Sequence, residues 1–164
     1  MKDIERIIAC HYNEIYHFLC RKLSDNDAAQ DVTQTVFVKF IANLSHYNER
    51  GKLRNYLFKL AANAGNDWFR KQSNFVSLDN LGELVSDASS PEAIVIHQDT
   101  AEAVKRALKK IPAFQRDVII LRFYHNLSFK DIAQITSSRL PSTKSRYRQG
   151  MAKLKKLLIE EGLR

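Results

Sequence analysis

Apolar residues recur near helical spacing along most of the chain, as expected when side chains share one face of a helix. A first helix is predicted to end near Leu23. Its apolar face carries Ile4, Ile8, Ile15 and Leu19. A second helix is predicted from Ala28 to Leu44, after a polar N-cap cluster at 24–27. Its inward residues are Val32, Val36, Phe37 and Phe40.

A polar loop at 45–52 separates the second helix from a third, which is predicted from Asn55 to Lys71. The apolar face of the third helix carries Leu57, Leu60, Ala61, Ala64 and Trp68. Residues 73–92 then lose the periodicity and are rich in Ser, Asn and Asp, so we expect a flexible linker with a short helical turn at Leu78 to Leu84.

Helicity is predicted to resume around Pro91 and to pause at Pro112. One further helix is expected before residue 128, and it is predicted to contain Val118, Ile119, Leu121 and Leu127. Periodicity and the small number of Gly and Pro residues therefore predict an all-α fold. We expect two small helical domains, 1–72 and 93–164, joined by the linker at 73–92.

Residues 128–158 predict a helix-turn-helix in the second domain. Ser128 precedes the carboxylate of Asp131 by three residues, which is close to a capping box at the start of a helix. Pro141 cannot continue a helix, so a break is predicted over 136–141. Ser142 is then the expected N-cap of a long second helix.

Charge favours nucleic acid as the partner of this unit. The chain has 26 Lys and Arg against 18 Asp and Glu, a formal net charge of +8. Between Arg139 and Ile159 the basic residues have no acidic neighbour in sequence. They are Arg139, Lys144, Arg146, Arg148, Lys153, Lys155 and Lys156. A two-helix unit with this charge on its second helix is typical of DNA binding.

Several other classes of protein are disfavoured. No Gly-rich phosphate loop, metal-ligand cluster or nucleophile motif is present, so we expect neither an enzyme nor a cofactor. His11, His17 and Cys20 lie close in sequence but lack a second ligand pair, so packing explains them better than zinc. Cys10 and Cys20 are expected to be reduced thiols. With no signal peptide and no apolar run of about 20 residues, the expected location is the cytoplasm.

Two alternatives stay open from the residues alone. An ordinary helix-turn-helix regulator could bind operator DNA without help, although Met1 to Lys71 shows neither a ligand-binding nor a phosphorylation domain. A basic helix lying on a membrane surface could explain Lys144 to Leu158, but it would leave the first half unexplained.

Short motifs in both halves narrow the choice. The first half contains AQDVTQTVF at 29–37 and NAGNDWFRK at 63–71. The second half contains IPAFQR at 111–116, LSFKDIA at 127–133 and KSR at 144–146. In this order and spacing, the set resembles the extracytoplasmic-function group of bacterial RNA polymerase sigma factors. The resemblance covers nearly the whole chain outside the linker.

The resemblance implies a dissociable initiation factor with no catalysis of its own. Its implied partners are core RNA polymerase, through the clamp helices of the largest subunit and the flap, and promoter DNA. An anti-sigma factor is a further partner of many family members, and no small-molecule substrate is implied. The resemblance assigns polymerase docking to Asp31, Gln34 and Phe37. Core packing for Phe37, and a solvated helix face for Asp31 and Gln34, remain open.

The resemblance also implies two DNA-reading surfaces. Recognition of the −10 element falls on Asn63, Asp67, Arg70 and Lys71, and on His46, Tyr47 and Asn48 in the loop for a flipped-out base. An intrahelical ion pair is the alternative role of Asp67. Reading of the −35 element in the major groove falls on Ser142, Lys144, Ser145, Arg146 and Arg148.

Overall fold

The computed structural model describes residues 2–78 and 96–163, which we call the N-terminal half and the C-terminal half. The N-terminal half forms α1 (Lys2–Leu23), α2 (Asn26–Ala42) and α3 (Leu53–Leu78). The C-terminal half forms α4 (Ile96–Lys109), α5 (Ala113–Ile119), α6 (Phe129–Ile135) and α7 (Leu140–Glu160). A 3-10 turn (Leu44–His46) follows α2, and a π-helical turn (Ile120–Tyr124) extends α5. No strand occurs in these two ranges, and the predicted all-α class is confirmed.

Two predicted helix starts are present with their capping side chains. Asp25 accepts a hydrogen bond from the Ala28 amide at 3.0 Å and begins α2. Ser128 accepts one from the Asp131 amide at 3.1 Å and begins α6. Each bond satisfies an amide that the first turn of a helix leaves without a backbone acceptor.

The start of α7 differs from the prediction. Pro141 lies in the first turn of this helix, and Arg139 is the N-cap residue, so Ser142 is inside the helix and does not cap it. The first amides of a helix have no intrahelical acceptor, so the missing amide of a proline costs nothing there. The break is made earlier, at Ser137, whose φ of 52° reverses the chain.

Other helix ends also shift. The third helix continues past Lys71 to Leu78, into the segment expected to be linker. Leu127 lies outside the helix that contains Val118, and its amide bonds to the Leu121 carbonyl at 3.1 Å. Apart from Leu78, the helical turn predicted at 78–84 lies outside the described residues, as do most of the linker and the helix start near Pro91.

Apolar packing joins the two halves. The main core combines α1, α2 and α3 with buried residues of the π-helical turn and α6. Within it, Phe18 meets Phe58 edge to face at 5.6 Å, and the ring of His125 lies 5.0 Å from that of Phe58. A second, smaller cluster holds α7 against α4 and α5. It comprises Ala107, Leu108, Ile111, Ile119 and Leu154.

Candidate nucleic-acid interface

A rigid turn sets the position of α7 relative to α6. The Thr136 hydroxyl lies 2.6 Å from that of Ser138, which lies 3.2 Å from the hydroxyl of Thr143 in α7. Thr143 is fully buried and donates to the Arg139 carbonyl at 3.0 Å. Beneath the turn, Ile132 is buried in the core. These bonds fix the direction in which α7 leaves the turn, as a helix that enters a DNA groove requires.

The residues predicted to read the −35 element lie together on the first turns of α7. Ser142, Lys144 and Arg148 are exposed, whereas Ser145 and Arg146 are half-buried. The guanidinium of Arg146 lies over the Phe114 ring, 5.2 Å from its centroid. Such stacking orients the guanidinium plane while leaving donors on its edge for a base or a phosphate.

Close packing holds the middle of α7 against α5. Gly150 allows this approach, because a Cβ at that position would lie 2.7 Å from Cδ1 of Ile119. Nε2 of Gln115 donates to the side-chain Oε1 of Gln149 at 3.2 Å, and Nε2 of Gln149 donates to Oγ of Ser145 at 3.3 Å. Gln149 thus supports a residue of the predicted reading surface instead of presenting a free side chain.

The predicted −10 surface lies along one side of α3. Asn63, Arg70 and Lys71 are exposed, and Asp67 is half-buried. Oδ1 of Asp67 forms an ion pair with Arg70, and Nζ of Lys39 in α2 lies 4.0 Å from Oδ2 of Asp67. The intrahelical pair considered for Asp67 is therefore present, and it holds Arg70 against the helix.

The loop predicted to hold an unpaired base has one anchored ring. Tyr47 is half-buried, with its ring 4.9 Å from that of Tyr56 and 6.0 Å from that of Phe40. Burial and the nearby carboxylate of Glu49 raise the pKa of its phenol. His46 and Asn48 are exposed on either side. The loop therefore combines a fixed aromatic ring with two free polar side chains.

A groove of about 700 Å³ runs between this loop and the helix-turn-helix. Its four charged lining residues are all basic: Arg50, Lys52, Lys59 and Lys130. Tyr47 and Asn48 line one wall, and Ser137 and Ser138 line the other. The groove is thus electropositive and suited to an anionic chain such as nucleic acid.

The residues predicted to dock on polymerase are not equally placed. Asp31 and Gln34 are exposed on α2, but Phe37 is only 4% exposed and stacks on Tyr12 at 5.7 Å. Phe37 therefore belongs to the core, the packing role that the sequence had left open for it.

Two exposed apolar residues, which the sequence interpretation missed, complete the face of α2. Val38 is 65% and Ile41 is 43% exposed. At helical spacing they continue the line of Asp31 and Gln34, and we call these four residues the α2 stripe. The sequence signal that could have identified Val38 and Ile41 is that neither apolar residue lies on the predicted core face of α2.

No group of His, Cys, Asp or Glu side chains in the described ranges is arranged to hold a metal ion. None of the helices in those ranges has the length and apolar character needed to cross a bilayer.

Comparison with known proteins gives the same assignment for both halves. Residues 7–75 match Sigma-70 region 2, and residues 101–154 match Sigma-70, region 4. The ECF RNA polymerase sigma factor SigW of Bacillus subtilis is 25% identical over 162 residues, covering 93% of this chain and 87% of SigW. The ECF RNA polymerase sigma factor EcfG of Rhodopseudomonas palustris is 29% identical over 141 residues, covering 85% of this chain and 77% of EcfG.

A solved structure is similar across both halves. The sigma factor RpoE of Bartonella quintana, crystallised with the anti-sigma factor NepR, superposes with a TM-score of 0.80 at 25% identity. The match covers 96% of this chain and 98% of RpoE. Family matches to both halves, relatives along nearly the full length and this fold together show that the chain belongs to the sigma-70 family, as an extracytoplasmic-function sigma factor that directs transcription initiation.

Proposed function

We propose that the chain docks on core RNA polymerase through the α2 stripe, reads the −10 element with α3 and the 46–48 loop, and reads the −35 element with α7. One observation carries the assignment: exposed or half-buried, base-competent side chains sit on the first turns of a helix whose start is held by hydrogen bonds of the preceding turn. Lys144, Arg146 and Arg148 match the donors that bind guanine edges and phosphates in a major groove.

The division of roles follows the exposure of each side chain. Asp31, Gln34, Val38 and Ile41 offer a mixed polar and apolar surface, which is typical of protein interfaces. Phe37 supports that surface from below. Asn63, Arg70 and Lys71 offer hydrogen bonds and positive charge to DNA, and Tyr47 offers a ring on which an unpaired base can stack.

In this proposed function the chain performs no chemistry of its own and acts in the cytoplasm, where polymerase binds chromosomal DNA. An anti-sigma factor is a proposed further partner. Support comes from RpoE, which has a similar fold over both halves and was crystallised with such a partner.

Run-off transcription on fragmented genomic DNA tests the proposal, using bacterial core RNA polymerase with and without the chain. Discrete new transcripts that depend on the chain are expected, and their 5′ ends would give the promoter. Specific retention of DNA by the chain alone, without transcripts, would contradict the proposal and favour an operator-binding regulator.

A further inference from the structure

Two side-chain amides connect the interior of the C-terminal half to its predicted reading surface. Gln115 of α5 is only 3% exposed, whereas Gln149 of α7 is exposed and Ser145 is half-buried. Nε2 of Gln115 donates to Oε1 of Gln149, and Nε2 of Gln149 donates to Oγ of Ser145. These two hydrogen bonds link a buried side chain to a residue of the reading surface, and we call the three residues the glutamine relay.

Packing fixes the buried end of the glutamine relay. A Cβ at Gly150 would lie 2.7 Å from Cδ1 of Ile119 and 3.3 Å from Cβ of Gln115, so α5 and α7 approach closely beside Gln115. Oε1 of Gln115 is buried and has no hydrogen-bond partner among the described residues. Within residues 2–78 and 96–163, the Gln115 amide therefore bonds to Gln149 alone.

The direction of these bonds determines what Gln149 offers to DNA. A side-chain amide carries a carbonyl acceptor and two N–H donors. The carbonyl oxygen of Gln149 is turned toward Gln115, and one of its N–H groups is used by Ser145. A free glutamine binds adenine with its donor and its acceptor together. The relay withholds the acceptor, so Gln149 offers the groove one remaining donor.

The same direction makes the Ser145 hydroxyl a donor. A hydroxyl has one proton to donate and two lone pairs that accept. In a helix that proton can go to the carbonyl four residues earlier, as Thr143 shows by donating to the Arg139 carbonyl at 3.0 Å. The Ser145 hydroxyl accepts from Gln149 and has no second hydrogen bond in the described parts of the chain. Its proton is therefore available to a DNA base.

Two donors on one helix face match one base. Ser145 and Gln149 are four residues apart and lie on the same face of α7. In the major groove guanine presents two acceptors, N7 and O6. Adenine presents one acceptor beside the N6 donor, thymine presents one acceptor, and cytosine presents the N4 donor. The paired donors of the relay therefore fit the edge of guanine.

We propose that Gln149 is a specificity-determining residue, and Gln115 a positioning residue, for recognition of the −35 element. The glutamine relay holds Ser145 and Gln149 as donors and thereby selects guanine at one position of that element. The inference rests on the proposed function, because that function places this face of α7 in the major groove. Gln115 acts through Gln149 and does not touch DNA.

The base preference at each −35 position provides the measurement. Run-off transcription is performed with core RNA polymerase, the full chain and a set of single-base variants of the −35 element. The wild-type chain should prefer guanine at one position by roughly fivefold or more. Ser145→Ala identifies that position, because it should relax the preference there and nowhere else.

Gln115→Met tests the buried end of the relay. Methionine has a similar volume, and the change removes a buried acceptor that already lacks a partner, so the helical circular dichroism and the affinity for core polymerase should be retained. The amide of Gln149 can then turn and use its carbonyl oxygen. Adenine should therefore be accepted almost as well as guanine at the position that Ser145→Ala identifies.

Gln149→Glu reverses the direction of the relay. Its carboxylate can only accept, so it should accept from Gln115 and from the hydroxyl of Ser145. Ser145 then presents lone pairs to the base, and the preference should shift from guanine to cytosine, whose N4 donates. The added negative charge should lower transcription from every variant of the promoter, with the preference at the other −35 positions unchanged.

Leu108→Met is the matched control for Gln115→Met. Leu108 is also 3% exposed and belongs to the apolar cluster that holds α7 against α4 and α5, but its side chain makes no hydrogen bond. The preference for guanine should be kept in this variant.

Three results would overturn the relay and leave the proposed function standing. Gln115→Met might lower transcription equally from every promoter variant, it could leave the preference for guanine unchanged, or the position identified by Ser145→Ala could prefer another base in the wild-type chain. Absence of any transcript with the wild-type chain would overturn the proposed function as well.

Discussion

Arg54 forms an ion pair with Glu14 inside the N-terminal half while its guanidinium also donates to the His125 carbonyl of the C-terminal half. Burial alone would raise the pKa of the Glu14 carboxyl. The adjacent His125 and Arg54 outweigh that effect and lower this pKa from 4.5 to about 2. The ionised carboxylate is therefore the form that the folded chain favours.

Acid should weaken the fold through this carboxyl. Because the folded-state pKa lies below the ordinary value, the contribution of Glu14 is complete above about pH 4.5 and is lost as the pH falls toward 2. Glu14→Gln should lower the free energy of unfolding at pH 6. At pH 3 the variant and the wild type should differ less in this free energy. Urea denaturation at both pH values measures this, with Glu5→Gln on the exposed side of α1 as control. An unchanged difference at pH 3 would contradict the assignment.

Much of the local structure follows from the sequence, because the causes are local. Periodicity predicted α1 and α2, and short polar side chains predicted the caps at Asp25 and Ser128. The predicted start of α7 was wrong because a proline breaks the interior of a helix but is accepted in its first turn. Helical spacing alone could not decide whether Phe37 faces a partner or the core.

The contact between the two halves, where the Lys22 side chain donates to the Asp117 carboxylate, had no local signal in the sequence. Lys22 and Asp117 are far apart in sequence, and each is of a residue type that is normally exposed. Lys22 in the last turn of a helix also fits a favourable interaction with the helix dipole at the surface. The available hint was Gly65, since glycine inside a predicted helix costs stability and can have a packing reason.

Gly65→Ala should destabilise the chain. A Cβ at this position would lie 2.5 Å from Cε and 2.9 Å from Cδ of Lys22, which is fully buried and held by Asp117. We expect a loss of about 1–3 kcal/mol in the free energy of unfolding, typical of an overpacked site. Chemical denaturation measures the loss, and Lys59→Ala on the exposed side of α3 should change stability by less than about 0.5 kcal/mol.

A double-mutant cycle identifies the cause. In a Lys22→Ala background the clashing atoms are absent, so adding Gly65→Ala should cost less than it does in the wild-type chain. Equal costs in the two backgrounds would show that the close approach to Lys22 is not what Gly65 provides.

The α2 stripe predicts where assembly with polymerase is most sensitive. Val38→Asp introduces a charge into the α2 stripe, at a position that is exposed in the free chain, so folding should be unaffected. Apparent affinity for core polymerase should fall by roughly tenfold or more if the site is buried on docking. Fluorescence anisotropy of labelled chain measures this binding.

The matched control is Ile159→Asp at the end of α7, because Ile159 is also apolar and 56% exposed but lies outside the stripe. It should assemble normally. Equal weakening by both variants would indicate a general effect of lost apolar surface, and normal assembly by Val38→Asp would return Asp31 and Gln34 to a solvated helix face.

Arg146 and Lys155 should differ in what they contribute to transcription. Arg146 stacks on Phe114 in the first turns of α7, and we propose that it bonds a base edge. Arg146→Ala should lower transcription from the cognate promoter roughly 5- to 150-fold and leave polymerase binding intact. This range corresponds to a loss of about 1–3 kcal/mol in the free energy of DNA binding. Lys155 is exposed farther along α7, so Lys155→Ala should weaken binding to all promoters alike and slightly reduce the salt dependence of that binding.

Run-off transcription on the promoter and on single-base variants of its −35 element separates the two roles, because only Arg146→Ala should relax the base preference at one position. Equal loss of polymerase binding in Arg146→Ala would contradict a reading role for this side chain.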